Sequence, residues 1–184
     1  MIGFAVSGSV AASWYVQSMQ IPLTSVEICA GAGGQALGLE AAGFMHRAVV
    51  ELDAHAVSTL RANRPGWNIV HGDVQDFDIE PYADDLDLLA GGVPCPPFSI
   101  AGKQLGQDDE RDLFPRALEL TAQSRPKALM LENVRGLAQP RFARYRNELV
   151  TELEELGYRT FWEVVTAADF GVPQLRPRFV LVAL

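Results

Sequence analysis

The sequence predicts an α/β domain, doubly wound, with a mostly parallel sheet and helices on both faces. Three observations carry this expectation. From Thr24 onward, short apolar runs alternate with amphipathic segments of helical period. The residues equipped for chemistry fall just after the apolar runs, where open α/β sheets bind their ligands. Finally, 184 residues with 48% hydrophobic and 21% charged side chains suit a single domain with a real core, not a disordered, collagen-like or coiled-coil chain.

In chain order, residues 25–29 read as a first strand, closed by the glycines Gly31, Gly33 and Gly34. Residues 35–42 read as a helix stopped by Gly43. Residues 47–51 form a second strand, and Asp53 is placed to cap the helix that ends near Asn63 and Pro65. Residues 67–71 and 86–90 are the third and fourth strands; a glycine- and proline-rich loop from Gly91 to Gly106 follows the latter. A helix over 112–124 leads to a fifth strand, 128–132, apolar up to its closing Glu132. An amphipathic helix over 142–156 stops at Gly157, and strands 158–166 and 178–184 close the chain as an antiparallel hairpin.

Fifteen Lys and Arg against 23 Asp and Glu give a net charge of −8. That excludes a dedicated DNA-coating or membrane-surface module but leaves room for a local basic groove. The acidic run Asp73, Asp76, Asp78, Glu80, Asp84, Asp85 and Asp87 reads mostly as a solvated face, with Asp73 alone at a strand end. Arg135, Arg141, Arg144 and Arg146 form the one local basic cluster, suited to a phosphate backbone or equally to a solvated helix face. Two cysteines, Cys29 and Cys95, are too few for a disulfide scaffold, so reduced thiols and a cytoplasmic setting are expected. Residues 1–24 carry no charge and lack the basic start of a signal peptide. They are too interrupted to span a bilayer, and are expected to be a disordered extension or a start-site artefact, with Met19 as the true start.

The candidate site residues collect after successive strands. Ala30, Gly31, Gly33 and Gly34 let backbone approach a ligand and open a helix whose N–H groups face it. Glu51, followed by Leu52 and Asp53, stands where a ribose hydroxyl is gripped, and Asp73 precedes Val74 after the third strand. An adenosine-containing cofactor fits this pattern. A dinucleotide oxidoreductase would share it, but Ala36 stands where that fingerprint wants its third glycine. After the fourth strand comes Pro94-Cys95-Pro96-Pro97-Phe98-Ser99, which holds a cysteine rigidly on a loop. That cysteine is either a small apolar filler or a nucleophile, and a nucleophile needs activation because a free thiol is only a few per cent ionised at neutrality. After the fifth strand, Glu132 precedes Asn133 and Val134. A carboxylate ending an apolar strand is expensive to bury unless hydrogen-bonded or protonated, which suits an acid that donates a proton near neutrality. Gln174, Arg176 and Arg178 alternate at strand spacing, so they are expected to face one side and receive an anion or a carbonyl-rich ligand.

Taken in this order, the glycine loop 29–34, Glu51, Asp73, Pro94-Cys95, Glu132-Asn133-Val134 and Gln174/Arg176/Arg178 resemble the DNA (cytosine-5-)-methyltransferases. The resemblance runs over residues 25–184, which it marks as the catalytic domain. It implies a Rossmann-like methyltransferase fold, S-adenosyl-L-methionine as methyl donor, and carbon 5 of a flipped cytosine in double-stranded DNA as acceptor. By resemblance, Cys95 is the nucleophile, Glu132 serves ring nitrogen 3, Arg178 polarises the neighbouring carbonyl, and Arg176 helps set the site. Cys29, Ala30, Gly31, Gly33, Gly34, Glu51, Leu52, Asp73, Val74, Pro94 and Leu113 are the implied cofactor residues; Ser99, Arg111, Asn133 and Gln174 are the implied substrate residues. No metal is implied. Cys29 replaces the aromatic residue common before the glycine loop, so aromatic stacking on the cofactor does not carry over. The family continues past the last strand into a target-recognition region and a returning helix, so this chain is expected to be a short form. Its implied partners are a separate target-recognition subunit and a cognate restriction endonuclease. The alternatives are an inactive or split-subunit fragment, and an enzyme acting on cytosine in RNA.

Overall fold

The computed structural model describes residues 22–94 and 112–184. Its elements are β1 (Leu23–Ile28), α1 (Gly34–Ala41), β2 (Phe44–Glu51), α2 (Ala54–Asn63), β3 (Ile69–His71), α3 (Glu80–Ala83), β4 (Leu88–Gly91), α4 (Phe114–Ser124), β5 (Ala128–Val134), α5 (Ala143–Glu155), β6 (Thr160–Thr166) and β7 (Pro177–Ala183). The strands form one seven-stranded sheet ordered β3-β2-β1-β4-β5-β7-β6. Pairing is parallel from β3 through β5, and β7 enters antiparallel between β5 and β6. The doubly wound, mostly parallel sheet with an antiparallel close is therefore present. Strand order reverses between β1 and β4, and that switch point is where such folds open a ligand crevice.

The two faces of the sheet are filled differently. Val26, Ile28, Ala48, Val50, Leu89, Leu129, Leu131, Phe179 and Leu181 join Phe114, Ala117, Leu118, Tyr145, Leu149 and Leu153 of α4 and α5 in the main core. The opposite face holds two smaller clusters, Ala30–Val49–Leu60 beside α2 and Leu39–Leu88–Ala90 beneath α1. Glu27 lies on β1 opposite Val49 and Ala90, between these two clusters. It is fully buried, and neither carboxylate oxygen has a hydrogen-bond partner. Burial pushes its pKa up to about 8, against a weaker downward pull from the backbone of Ala36. A carboxylate in an apolar strand interior is costly when charged, so Glu27 is mostly protonated near neutrality.

Local chemistry explains the element ends. Asp53 caps α2, its Oδ1 accepting from His55 N at 2.9 Å and Ala56 N at 2.8 Å. Gly43 and Gly157 take positive φ values of 94° and 95°, ending α1 and α5 where side-chain-bearing residues would be strained. The structure corrects the expectation for Gln174 and Arg176. Strand β7 starts only at Pro177, and these two residues lie in the loop before it. Gln174 N donates to Val172 O and Arg176 N to Gln174 O, at 2.6 and 2.9 Å, so tight local turns replace strand alternation. The short helix α3 inside the acidic run was not expected from periodicity. No helix among the described residues is long and apolar enough to cross a membrane.

Candidate functional site

At the carboxyl ends of β1, β2, β3 and β4 the chain encloses a cavity of about 310 Å³. Its wall is Cys29, Gly31, Val50, Glu51, Leu52, Gly72, Asp73, Val74, Gly92, Pro94 and Leu113. The order of the sheet explains the convergence: β1 lies between β2 and β4, so the residues that follow each of them meet over one crevice. Glu51 is the polar centre. Its Oε2 accepts from Gly31 N at 2.6 Å and its Oε1 from Asp53 N at 2.7 Å, which fixes both oxygens while leaving lone pairs for a ligand's hydroxyls. Asp73 caps a short turn by accepting from Gln75 N at 2.9 Å. Val50, Val74 and Leu113 supply apolar walls, and Leu52 stands at the rim with 60% of its surface exposed.

Cys29 takes φ 53°, the left-handed region, as β1 turns into the glycine loop. Burial first, then the neighbouring charges of Glu51 and Asp73, push its thiol up to about 12. It is a neutral, poorly nucleophilic wall of the cavity. Three of the expected cofactor residues stand behind the wall. Ala30 donates its N–H to Val50 O at 3.1 Å, tying β1 to β2. Gly33 precedes α1 at φ 91°, where a Cβ would lie 2.6 Å from Leu60 Cδ2. Gly34 opens α1 with free space around it. Sequence reasoning missed Val50, Gly72 and Gly92 on the wall; each adjoins a residue it did name or, for Gly92, the proline loop.

A second groove, of about 440 Å³, is lined by Val134, Arg135, Gln174, Leu175, Arg176, Pro177 and Arg178. The expected triplet thus converges on one place, although not by strand alternation. Antiparallel pairing sets Arg178 opposite Val134, at the exit of β5. Arg178 Nε meets Glu132 Oε1 at 2.6 Å, with the two side chains 24% and 35% exposed. Glu132 is therefore half-buried and ion-paired. Its other oxygen points toward Gly92, where a Cβ would stand 3.6 Å away. Glu132 thus sits between the Gly92–Pro94 wall of the cavity and the arginine groove.

Asn133 holds this boundary in place. Its Nδ2 donates to Val93 O at 3.0 Å and its Oδ1 accepts from Val134 N at 2.7 Å. It is buried, so it is a brace between β5 and the end of β4 instead of an open contact for a ligand. Leu113 N lies 3.5 Å from Pro94 O, so the residues on either side of 95–111 are neighbours. Cys95, Ser99 and Arg111 fall outside the described residues. The basic cluster divides. Arg146 is buried, donates to Leu137 O and to Gln139 O, and stacks over Trp162 at 5.0 Å, so it cannot reach a phosphate. Arg144 pairs with Glu148 and Arg141 packs over the Phe142 ring. Only Arg135 of the four lines the groove.

Fold and cavity together define a class: a doubly wound α/β domain with an acidic, glycine-flanked cavity at its switch point, where such folds bind their ligands. The family is narrower. The model of the C-5 cytosine-specific DNA methylases matches residues 23–184, and the chain belongs to that family. It is 62% identical over 161 residues to the Type II methyltransferase M.NgoMIV of Neisseria gonorrhoeae, covering 88% of this chain and 51% of that relative. It is 60% identical over 171 residues to M.NaeI of Lentzea aerocolonigenes, covering 92% and 40% respectively. The chain thus spans about half the length, or less, of these curated relatives. The crystal structure of Spodoptera frugiperda DNMT2 superposes with a TM-score of 0.72 at 23% identity, over 88% of this chain and 49% of that one, a likeness of fold.

Proposed function

We propose that this domain transfers a methyl group from S-adenosyl-L-methionine to carbon 5 of cytosine in DNA. The observation that carries the reading is the meeting of the two pockets at Glu132, which is paired to Arg178 on one side and faces Gly92 on the other. The cavity lining suits the donor: Glu51 offers a fixed carboxylate that would take the ribose hydroxyls, Asp73 would take the base, Gly31 would allow close backbone approach, and Val74 and Leu113 would supply apolar contact. When bound there, S-adenosyl-L-methionine supplies an electrophilic methyl group. The chain's own residues do the rest. Cys95 follows Pro94 in the sequence, and its thiolate adds to carbon 6 of a cytosine flipped from the duplex, forming a C–S bond and placing electron density on carbon 5. Glu132 relieves the charge on the ring by protonating or hydrogen-bonding nitrogen 3, and Arg178 holds the adjacent carbonyl oxygen. After carbon 5 is methylated, its proton leaves to a base or water, the C–S bond breaks, and the thiolate returns.

Soluble duplex DNA of mixed sequence, labelled donor and the Cys95→Ser variant test this. Label in 5-methylcytosine with the wild type and none with the variant is the expected result. Equal label in both removes Cys95 from the mechanism. A covalent complex of the wild type with DNA containing 5-fluorocytosine, absent with Cys95→Ser, checks the adduct itself. The names of the relatives, Type II methyltransferases, support a restriction endonuclease as the functional counterpart of this chain.

A further inference from the structure

Arg135 has no place in the mechanism above, yet it lines the arginine groove. We infer that Arg135 is a phosphate-binding residue, which grips the DNA backbone beside the base that Arg178 receives. This rests on the methyltransferase reading of the site and adds a residue to it.

The groove is short of anions. Its wall, among the described residues, holds three guanidiniums and no carboxylate. Glu132, the acid at its inner edge, is already taken by Arg178. Among the described residues, neither Arg135 nor Arg176 has a carboxylate or carbonyl partner for its guanidinium; Arg61, Arg141 and Arg159 share that trait, but only Arg135 and Arg176 of these five line the groove. In a chain with 23 acids against 15 bases, unpaired arginines from two distant segments facing one groove are a specific arrangement. The net charge of −8 makes such a patch the place where a polyanion can approach. A guanidinium presents a planar fork of donors that matches two phosphate oxygens, so an anion of this geometry is the natural occupant.

The backbone under Arg135 is also fixed in advance. Arg135 opens a short 3-10 turn, Arg135–Ala138, immediately after β5 and three residues beyond Glu132. Gly136 and Leu137 are buried beneath it. Buried Arg146 reaches from α5 to hold the carbonyls of Leu137 and Gln139, and is itself clamped over Trp162 of β6. A turn tied to α5 and β6 in this way loses little further freedom when Arg135 meets a ligand. Arg146, at first sight one more member of the basic cluster, is therefore the brace that lets Arg135 act.

The experiment is a salt titration of binding to a fluorescent DNA duplex by the wild type, Arg135→Gln and Arg135→Lys. Each phosphate contact contributes a slope of about −0.9 to log K against log salt on B-DNA. Arg135→Gln is expected to flatten the slope by about one contact. The advantage of the wild type then shrinks by roughly threefold between ~50 and ~200 mM salt. The loss is the same on any sequence, Arg135→Lys keeps the wild-type slope, and S-adenosyl-L-methionine affinity and melting temperature do not change. If the wild type binds with a salt-dependent slope and Arg135→Gln reproduces it, the inference falls and the function stands. If Arg135→Lys flattens the slope as much as Arg135→Gln, charge at this position is not what binds, and the inference again falls. If the wild type takes up S-adenosyl-L-methionine but shows no salt-dependent DNA binding, the reading of the groove as DNA-facing falls first and takes Arg135 with it.

Discussion

Glu27 offers the sharpest test of the energetics. It is fully buried on the central strand β1, neither oxygen is hydrogen-bonded, and burial raises its pKa from 4.5 to about 8. In the unfolded chain the carboxyl is ionised above about pH 4.5, whereas the folded protein keeps its proton to about pH 8. Between these values the native state binds more protons than the unfolded state, so stability falls as pH rises, by about 1.4 kcal/mol per unit, and levels off above the folded pKa. Glu27→Gln keeps the shape and removes the titration. Its amide carries its own unsatisfied donors, but that penalty does not vary with pH. The stability difference between the two proteins therefore isolates Glu27. Urea unfolding at a series of pH values is expected to move that difference in favour of Glu27→Gln by about 3–4 kcal/mol from about pH 5 to about pH 8. For a chain of this size that amounts to about 10 °C in melting temperature. His46, whose pKa burial lowers, contributes with the opposite sign below about pH 6.5, but it is present in both proteins and cancels. A difference that stays constant across this range would refute the account, because it would mean that Glu27 is not a proton-holding, unpartnered acid.

Three further outcomes follow from the site and its frame. Glu132→Gln leaves Arg178 without its charge partner and takes the acid from the boundary of the two pockets, so methyl transfer is expected to fall by roughly 10²–10⁴-fold while donor binding in calorimetry holds; a fall in donor affinity of the same size would place Glu132 in the wrong pocket. In a Cys95→Ser background, the rate of Cys29 alkylation by iodoacetamide is expected to rise only well above pH 9, with the inflection shifting down in Glu51→Gln; an inflection near the ordinary thiol value of about 8.5 would refute the neutral-wall assignment. Gly91→Ala puts a Cβ 2.6 Å from Ile28 Cγ1 and 2.9 Å from the Ile28 carbonyl between two central strands, and is expected to destabilise by about 1–3 kcal/mol in urea, whereas Gly92→Ala, whose Cβ stands 3.6 Å from Glu132, is tolerated.

How much of this was legible in the sequence depends on the kind of signal. Strand β4 is buried at every position and β5 opens on the apolar run 128–131, so both were placed to within two residues; β1, interrupted by Thr24, Ser25 and Glu27, was placed as closely by the glycine loop that follows it. Strand β2 begins at Phe44, earlier than expected, because Gly43 turns the chain from α1 straight into the sheet. Strand β3 pairs with β2 over only three residues, since Trp67 is drawn off to hydrogen-bond Glu40 and to pack on His46. The cavity was largely readable because its residues follow strand ends, and a parallel sheet brings strand ends together wherever their order runs. The groove was readable for a partly mistaken reason: spacing of two in Gln174, Arg176 and Arg178 suggested a strand, while local turns deliver the same residues to the same place.

The arginines show where sequence pattern stops. Arg135, Arg141, Arg144 and Arg146 lie within twelve positions and carry the same charge, so composition cannot rank them. Their fates are set by which carbonyls, carboxylates and rings the fold brings within reach. Arg146 sits on the buried face of α5, two residues after an exposed Arg144 on the same helix, and the helical period alone separates a brace from a solvated pair. Arg135 lies outside any helix, on the turn that Arg146 holds, and only β7 returning beside β5 gives that turn a groove to face. Function at this edge of the sheet is therefore a property of the antiparallel insertion of β7. A substitution that loosens that pairing, at buried Phe179 for example, should weaken the Glu132–Arg178 pair and the Arg135 groove together, while the cavity over β1 and β2 keeps its donor affinity.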